Sequence, residues 1–397
     1  MSKPLTSLTS LAVLAALSPS VAHAAPPSAP FDGALDARVA HDQSGNYVVS
    51  PASIELGLEM TREGARGATA RELDGALGAD TGAAVKALWA AWGTPQTAAD
   101  MTQLSIANKL FGEQTAHFLP AFLDATQQGY GARLEAVDFA HAADAARRHI
   151  NDWVAQATHD KIKDLLPPRA VDDATRLVLV DAIYLKAHWA KEFEAGETAP
   201  APFKVSGAGT KQVATMHGEL YADWGAHAGA RVLDLSYRGG LAMLVVVPDS
   251  ASLAAVESAY QREGFAPFMN AAVASKSHGG IIVALPKFEV ATKIELSPAL
   301  AAMGVKTAFT GAADFSGMSS DPVKLSSVIH QAWIKVDEAG TEAAAATAVE
   351  MAAGAAPPVS TPPHFDVDRS FLFFVHDTHG NVLFGGRVID PSAPASK

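Results

Sequence analysis

The first half of the chain carries the spacing of amphipathic helices. Ile54 and Leu58, and likewise Leu56 and Met60, recur four residues apart, which stacks side chains on one helix face. Ser50-Pro51 puts a capping hydroxyl before a proline at the first helical position. Thr69-Ala70-Arg71-Glu72 reads as a capping box opening the next helix. Ile150, Trp153, Val154 and Ala157 mark another helix, closed near Pro167-Pro168. From residue 177 the pattern changes. Residues 177–185 form a nearly continuous apolar run with β-branched members, suited to a strand covered on both faces. Further strands are expected over 241–247, 281–285 and 371–375. Residues 331–336 alternate, with Ala332, Ile334 and Val336 on one side and Trp333 and Lys335 on the other. Helices early and strands late favour an α+β fold over a doubly wound sheet.

The ends and the composition narrow the class. Lys3, an apolar run over residues 5–17 and Ala22-His23-Ala24 have the order of a secretory signal cut after Ala24. The expectation is a signal peptide over 1–24, one domain over 25–397, and a secreted or periplasmic protein. No later apolar run exceeds strand length, so no membrane span is expected. There is no cysteine, hence no disulfide and no thiolate metal site, and stability must come from the core. The net charge of −12 argues against nucleic acid or an anionic membrane as partner, and against a heparin-like polyanion. A monomer is expected.

Signatures of catalysis are missing. There is no G-x-S-x-G elbow, no Walker A loop and no H-E-x-x-H. Asp366-Val367-Asp368 has Phe371 where a calcium loop needs glycine. His376-Asp377-Thr378-His379-Gly380 offers metal-ligand types, but a polar hairpin turn with Gly380-Asn381 as turn residues accounts for it better. No cofactor and no metal are expected, and the chain is not read as an enzyme.

Five segments resemble the serpin family. Residues 365–375 (FDVDRSFLFFV) resemble its signature, and residues 336–344 (VDEAGTEAA) resemble its reactive-loop hinge. Asn46 to Ile54, residues 64–69 (GARGAT) and residues 179–189 (LVDAIYLKAHW) match earlier stretches. The resemblance, to an inhibitory and bacterial-type secreted serpin, implies a single α+β domain with three β-sheets, about eight or nine helices and an exposed reactive-centre loop at about 340–363. It also implies a function: an irreversible, suicide-type inhibitor of serine proteases. The protease cuts the loop and is held as an acyl-enzyme in a covalent complex while the cut loop enters the central sheet of a metastable protein. A non-inhibitory binding or storage protein on the same fold is the alternative.

The loop residues can be tested against that task. An entering strand presents alternate residues to the core. From Thr341 one face carries Thr341, Ala343, Ala345, Thr347, Val349, Met351 and Ala353, and the other carries Glu342, Ala344, Ala346, Ala348, Glu350, Ala352 and Gly354. Both charges share a face, and the hinge residues Glu338, Gly340, Thr341, Ala343, Ala344 and Ala345 are mostly small. Pro357-Pro358 cannot donate to a ladder and end the insertable stretch. Conformational entropy and new ladder hydrogen bonds roughly cancel, so apolar burial and relief of a strained starting sheet must drive insertion. An alanine-rich helix is the competing reading of this stretch before cleavage. The family's spacing places the reactive bond at Gly354-Ala355, with Met351, Ala352, Ala353 and Ala356 as alternatives. No Arg or Lys lies between Gly340 and Asp368, which disfavours trypsin-like targets and leaves elastase-like or subtilisin-like ones, or a chymotrypsin-like one if Met351 is the bait.

The resemblance further places Ser50, Ser53, Asp181 and His330 where the central strands part, and Trp189 above the opening. Asp181 stands where the family more often has Asn. A carboxylate in a buried strand needs a partner. His330 is the expected one, in an ion pair that would make sheet opening respond to pH.

Overall fold

The structure, a computed structural model, describes residues 30–78, 86–87, 90, 102–274, 280–341 and 362–395. Eight α-helices are bounded among the described residues: α1 (Phe31–Asp42), α2 (Pro51–Gly64), α3 (Gly67–Leu77), α4 (Pro120–Tyr130), α5 (Phe139–Ala157), α6 (Leu253–Glu263), α7 (Ala266–Ala274) and α8 (Ser297–Ala302). The strands are β1 (Tyr47–Val49), β2 (Gln103–Glu113), β3 (Glu135–Val137), β4 (Leu177–His188), β5 (Ala199–Val205), β6 (Gly209–Tyr221), β7 (Asp223–His227) and β8 (Ala230–Ser236). They continue as β9 (Leu241–Pro248), β10 (Gly280–Pro286), β11 (Phe288–Glu295), β12 (Ser327–Asp337), β13 (Gly340–Thr341), β14 (His364–Asp366), β15 (Phe371–Asp377) and β16 (Val382–Val388).

These strands make three sheets. The large sheet runs β11-β12-β13-β4-β2-β3, a second six-stranded sheet runs β1-β16-β15-β9-β8-β7, and a four-stranded sheet runs β14-β10-β6-β5. The α+β, three-sheet expectation holds. β4 is the axis of the large sheet. Its Val178, Val180 and Ala182 pack with Ile150 and Val154 of α5, while Leu177 and Leu179 pack with Ile54 and Leu58 of α2. Both faces are covered, which is why the sequence runs apolar without alternation. Gly57 lets α2 lie against that sheet, since a Cβ there would sit 3.0 Å from Leu179 Cδ2.

Some local expectations hold and others fail. Ser50 caps α2, its Oγ accepting from Ser53 N at 3.1 Å. The capping box at 69–72 does not form. Thr69 is the third residue of α3, and its Oγ1 accepts from the Asp314 amide at 2.9 Å. Glu72 accepts from the amides of Lys306 and Thr307, each at 2.7 Å. Both side chains tie a distant segment to the helix instead of closing its own first turn. β2 lies in the half expected to be helical. It pairs along β4, and its burial is too uneven for a clean period of two.

The His376 cluster is a hairpin turn, as the turn reading expected. Asp377 accepts from the amides of His379 at 2.9 Å and Asn381 at 3.0 Å, and Gly380 takes φ of +84°. Among the described residues no group of three His, Asp or Glu is placed to hold a metal. His376 is nonetheless built into the sheet. Its Nδ1 lies 3.0 Å from the Asp377 carbonyl oxygen and its Nε2 lies 3.0 Å from Asp234 Oδ1. Two acceptors face the ring, so both nitrogens donate. Burial opposes that charge, but the Asp234 carboxylate outweighs it and holds the His376 pKa above the ordinary value. A raised folded pKa stabilises the native state fully below the unfolded value and loses that contribution as pH rises through the folded one. His376→Gln is therefore expected to cost more stability at pH 5.5 than at pH 9, read from denaturant midpoints of both proteins at each pH.

Candidate functional site

The centre of the large sheet is a seam. β12 and β4 run parallel and pair directly from Ser327↔Val178 to Trp333↔Tyr184. Above that point they part, and β13 enters between them. Gly340 lies opposite Asp337 on one side and His188 on the other, and Thr341 lies opposite Val336 and Ala187. Two residues of the hinge thus already form a rung of the sheet. Gly340 is required there. Its φ is +147°, and a Cβ would fall 2.0 Å from the Ala187 carbonyl oxygen.

Several side chains hold this upper end. Trp189 lies at this upper end. Its Nε1 donates to the Asp337 carbonyl at 3.0 Å, and its ring stacks on Tyr237 with centroids 4.3 Å apart. Tyr237 OH is 2.7 Å from Thr341 Oγ1. Burial holds that phenol above its ordinary pKa, so it remains a hydroxyl. Glu338 is gripped by Lys287 Nζ at 2.7 Å and by the Thr198 hydroxyl at 2.8 Å. Burial opposes the charge, yet the Lys287 ammonium keeps the Glu338 carboxyl below the usual range.

The closed part of the seam is bridged on both faces. On the α5 face the Tyr184 and Trp333 rings stack with centroids 6.4 Å apart, and Lys161 Nζ lies 5.3 Å from the Trp333 centroid. On the α2 face Asp181 and His330, both fully buried, are joined at 2.6 Å between Oδ1 and Nδ1. Ser53 Oγ lies 3.0 Å from Asp181 Oδ1 and 3.0 Å from Asn108 Oδ1. Asn108 Nδ2 donates to the Ser53 carbonyl. The Ser50 amide donates to His330 Nε2 at 3.2 Å. That last bond fixes the tautomer and corrects the ion-pair expectation. An imidazolium would need a proton on Nε2, where the Ser50 amide already points its own. His330 therefore donates from Nδ1 to a carboxylate as a neutral ring.

Sequence reasoning brought together Ser50, Ser53, Asp181, His330 and Trp189, and the structure places all five along this seam. Ser50 contributes its amide to His330, with its hydroxyl spent on the helix cap. Reasoning missed Asn108, Tyr237, Lys287 and Thr198, which meet the site only through pairings remote in sequence. Of the hinge, Glu338, Gly340 and Thr341 are described. Ala343, Ala344, Ala345 and the reactive-bond candidates Met351, Ala352, Ala353, Gly354, Ala355 and Ala356 lie outside the described residues.

The serpin family model, described as serine protease inhibitor, matches residues 34–391. The chain belongs to the serpin family. Among relatives, leukocyte elastase inhibitor of Sus scrofa is 37% identical, covering 88% of this chain and 94% of that protein. Serpin B8 of Homo sapiens is 38% identical over the same shares. Among solved structures, human thyroxine-binding globulin in complex with thyroxine superposes with a TM-score of 0.81 at 27% identity, covering 92% of this chain and 97% of that one. Serpin48 of Tenebrio molitor gives 0.78 at 30% identity, covering 91% and 96%. The relatives correct two expectations. They are mammalian proteins rather than bacterial ones, and leukocyte elastase inhibitors and serpins B6 and B8 are intracellular, against the expected secreted or periplasmic protein. A positive start, an apolar run and a small-x-small triplet are a composition pattern, which carries less than similarity along the whole chain. Residues 1–29, where that signal was read, lie outside the described residues.

The fit of Gly340 can be tested directly. Gly340→Ala is expected to push the hinge out of the sheet, so that the Thr341 amide loses protection in hydrogen exchange while amides of residues 178–184 keep theirs. Unchanged protection at Thr341 would show that close approach to Ala187 does not hold the hinge.

Proposed function

We propose that this serpin inhibits serine proteases with small specificity pockets, elastase-like or subtilisin-like, by a single-use trap. The protease cuts the loop within residues 340–363, remains attached as an acyl-enzyme, and is carried along as the loop enters the seam between β4 and β12. The observation that supports this most is the Gly340–Thr341 rung. It opens the seam at its upper end and sets the direction in which more residues would follow. Thr341 turns its side chain toward Tyr237 in the core, and an inserted strand that kept this alternation would put 343, 345, 347, 349, 351 and 353 on the same face. That is the uncharged face of the loop. Relatives named leukocyte elastase inhibitor favour elastase-like targets, in keeping with the absence of Arg and Lys near Gly354-Ala355.

A second reading has an observation of its own. Thyroxine-binding globulin, a close structural neighbour, was solved with thyroxine bound, so a serpin acting as a binding protein belongs beside the inhibitory reading. The deciding experiment mixes the protein with pancreatic elastase, subtilisin, chymotrypsin and trypsin. The expected result is an adduct with elastase or subtilisin that survives denaturing electrophoresis, together with a released C-terminal peptide that begins at Ala355. Clean cleavage within 351–356 without adduct or gain in heat stability would favour the binding reading.

A further inference from the structure

Among the described residues, three buried side-chain atoms lack a hydrogen-bond partner: Asp181 Oδ2, Ser327 Oγ and Gln331 Oε1. Gln331 differs from the other two because it lines a cavity of about 850 Å³ on the α5 side of the large sheet. The residue is 8% exposed. Its amide oxygen is thus withdrawn from bulk water with no donor in the fold. A buried acceptor in that state costs free energy until a donor reaches it.

β11 and β12 make the floor of this cavity. Their register sets Lys293 opposite Gln331 and Ala291 opposite Trp333. Opposed residues of an antiparallel pair share a face, with Cβ atoms ~5 Å apart. The floor therefore has two ranks: an ammonium beside the unpaired amide, then an indole beside a methyl. The small Ala291 side chain leaves room next to the Trp333 ring. The wall is the segment that follows α5. Its Ile162 and Leu165 are fully buried in one cluster with Ile150 and Val154 of α5, which fixes the wall against the sheet. Lys161 flanks Ile162 and brings its Nζ to 5.3 Å from the Trp333 centroid. Pro394 completes the lining. A pre-formed cavity of this size, with a mainly apolar floor and a few convergent polar groups, suits a small organic ligand.

Three carboxylates share the rim. Asp160 is paired with Lys163 at 3.4 Å. Glu289 takes the indole N–H of Trp333 at 3.0 Å and stands four residues along β11 from Lys293, ~13 Å away. Asp164 is exposed. The Lys293 Nζ donates to the neutral Asp164 carbonyl oxygen at 3.2 Å, a contact that does not balance its charge. Beside Gln331 the cavity thus offers a cation and an acceptor in one rank.

We infer that this cavity is a binding site for a planar aromatic anion that carries an N–H or O–H group next to its acid. The ring lies over Ala291 against the Trp333 indole. The donor meets Gln331 Oε1, and the acid meets Lys293. The inference rests neither on protease trapping nor on loop insertion.

Two dyes test it on the full chain by equilibrium dialysis. 8-Anilinonaphthalene-1-sulfonate has the ring, the N–H and the anion, and N-phenyl-1-naphthylamine lacks only the anion. Saturable binding of one sulfonate per chain is expected. Gln331→Leu keeps the size of the side chain and removes the acceptor, and should weaken both dyes about fivefold, the worth of one net hydrogen bond. Lys293→Met should weaken the sulfonate about fivefold at low salt, less at high salt, and leave the neutral dye unchanged. No saturable binding of the sulfonate overturns the inference. So does binding that neither substitution weakens, or a loss on Lys293→Met that is equal for both dyes. Lys293 is exposed, so the comparison of the two dyes on Lys293→Met decides alone if Gln331→Leu does not fold.

Discussion

The direct pairing of β12 with β4 is the interaction on which the rest of this molecule turns. It is where the large sheet divides. The strands meet over seven residues each, part above Trp333 and Tyr184, and already hold two residues of another strand between them. Elsewhere β4 is tied to β2 over ten positions, from Gln103↔Lys186 to Gly112↔Leu177. Both faces of the seam are bridged by side chains rather than by extra backbone pairing. An aromatic stack spans it on the α5 side and a carboxylate–imidazole bond spans it on the α2 side. Side-chain bridges can be exchanged without unfolding either strand, which a lost ladder could not.

Such a seam carries an obvious hazard. A seam that already holds two residues of β13 between β12 and β4 offers the same place to a strand from another copy. One open edge is guarded by composition. β5 forms an outer edge and carries Pro200 and Pro202, which have no N–H to offer, while the Lys204 amide donates to the Asp368 carbonyl at 2.7 Å. The seam has no comparable guard except the hinge itself, held by Tyr237, Trp189 and the Lys287–Glu338 pair. Anchoring the hinge at the upper end fills the gap with the chain's own residues.

Much of this was legible in the sequence, and the reason lies in what each signal depends on. The both-faces burial of β4 wrote itself as an apolar run from Leu177. The alternation of 331–336 gave the two faces of β12, and the turn after Asp377 followed from Gly380-Asn381. Asp181 in a buried strand demanded a partner, and His330 is that partner. What failed was non-local. Thr69 and Glu72 have the spacing of a capping box but spend their oxygens on amides of residues 306–314, and no local pattern ranks a distant donor against a near one. The ion pair failed for the same reason, since the Ser50 amide that blocks Nε2 is 280 residues away from His330. Tyr237, Asn108 and Lys287 carry no mark in the sequence that separates them from ordinary core and surface residues.

A folded chain normally pairs its buried polar groups, and departures need a reason. Among the described residues the departures gather on the two strands of one seam instead of scattering through the core. Asp181 sharpens the point, because a carboxylate feels a missing donor more than the amide the family more often has there.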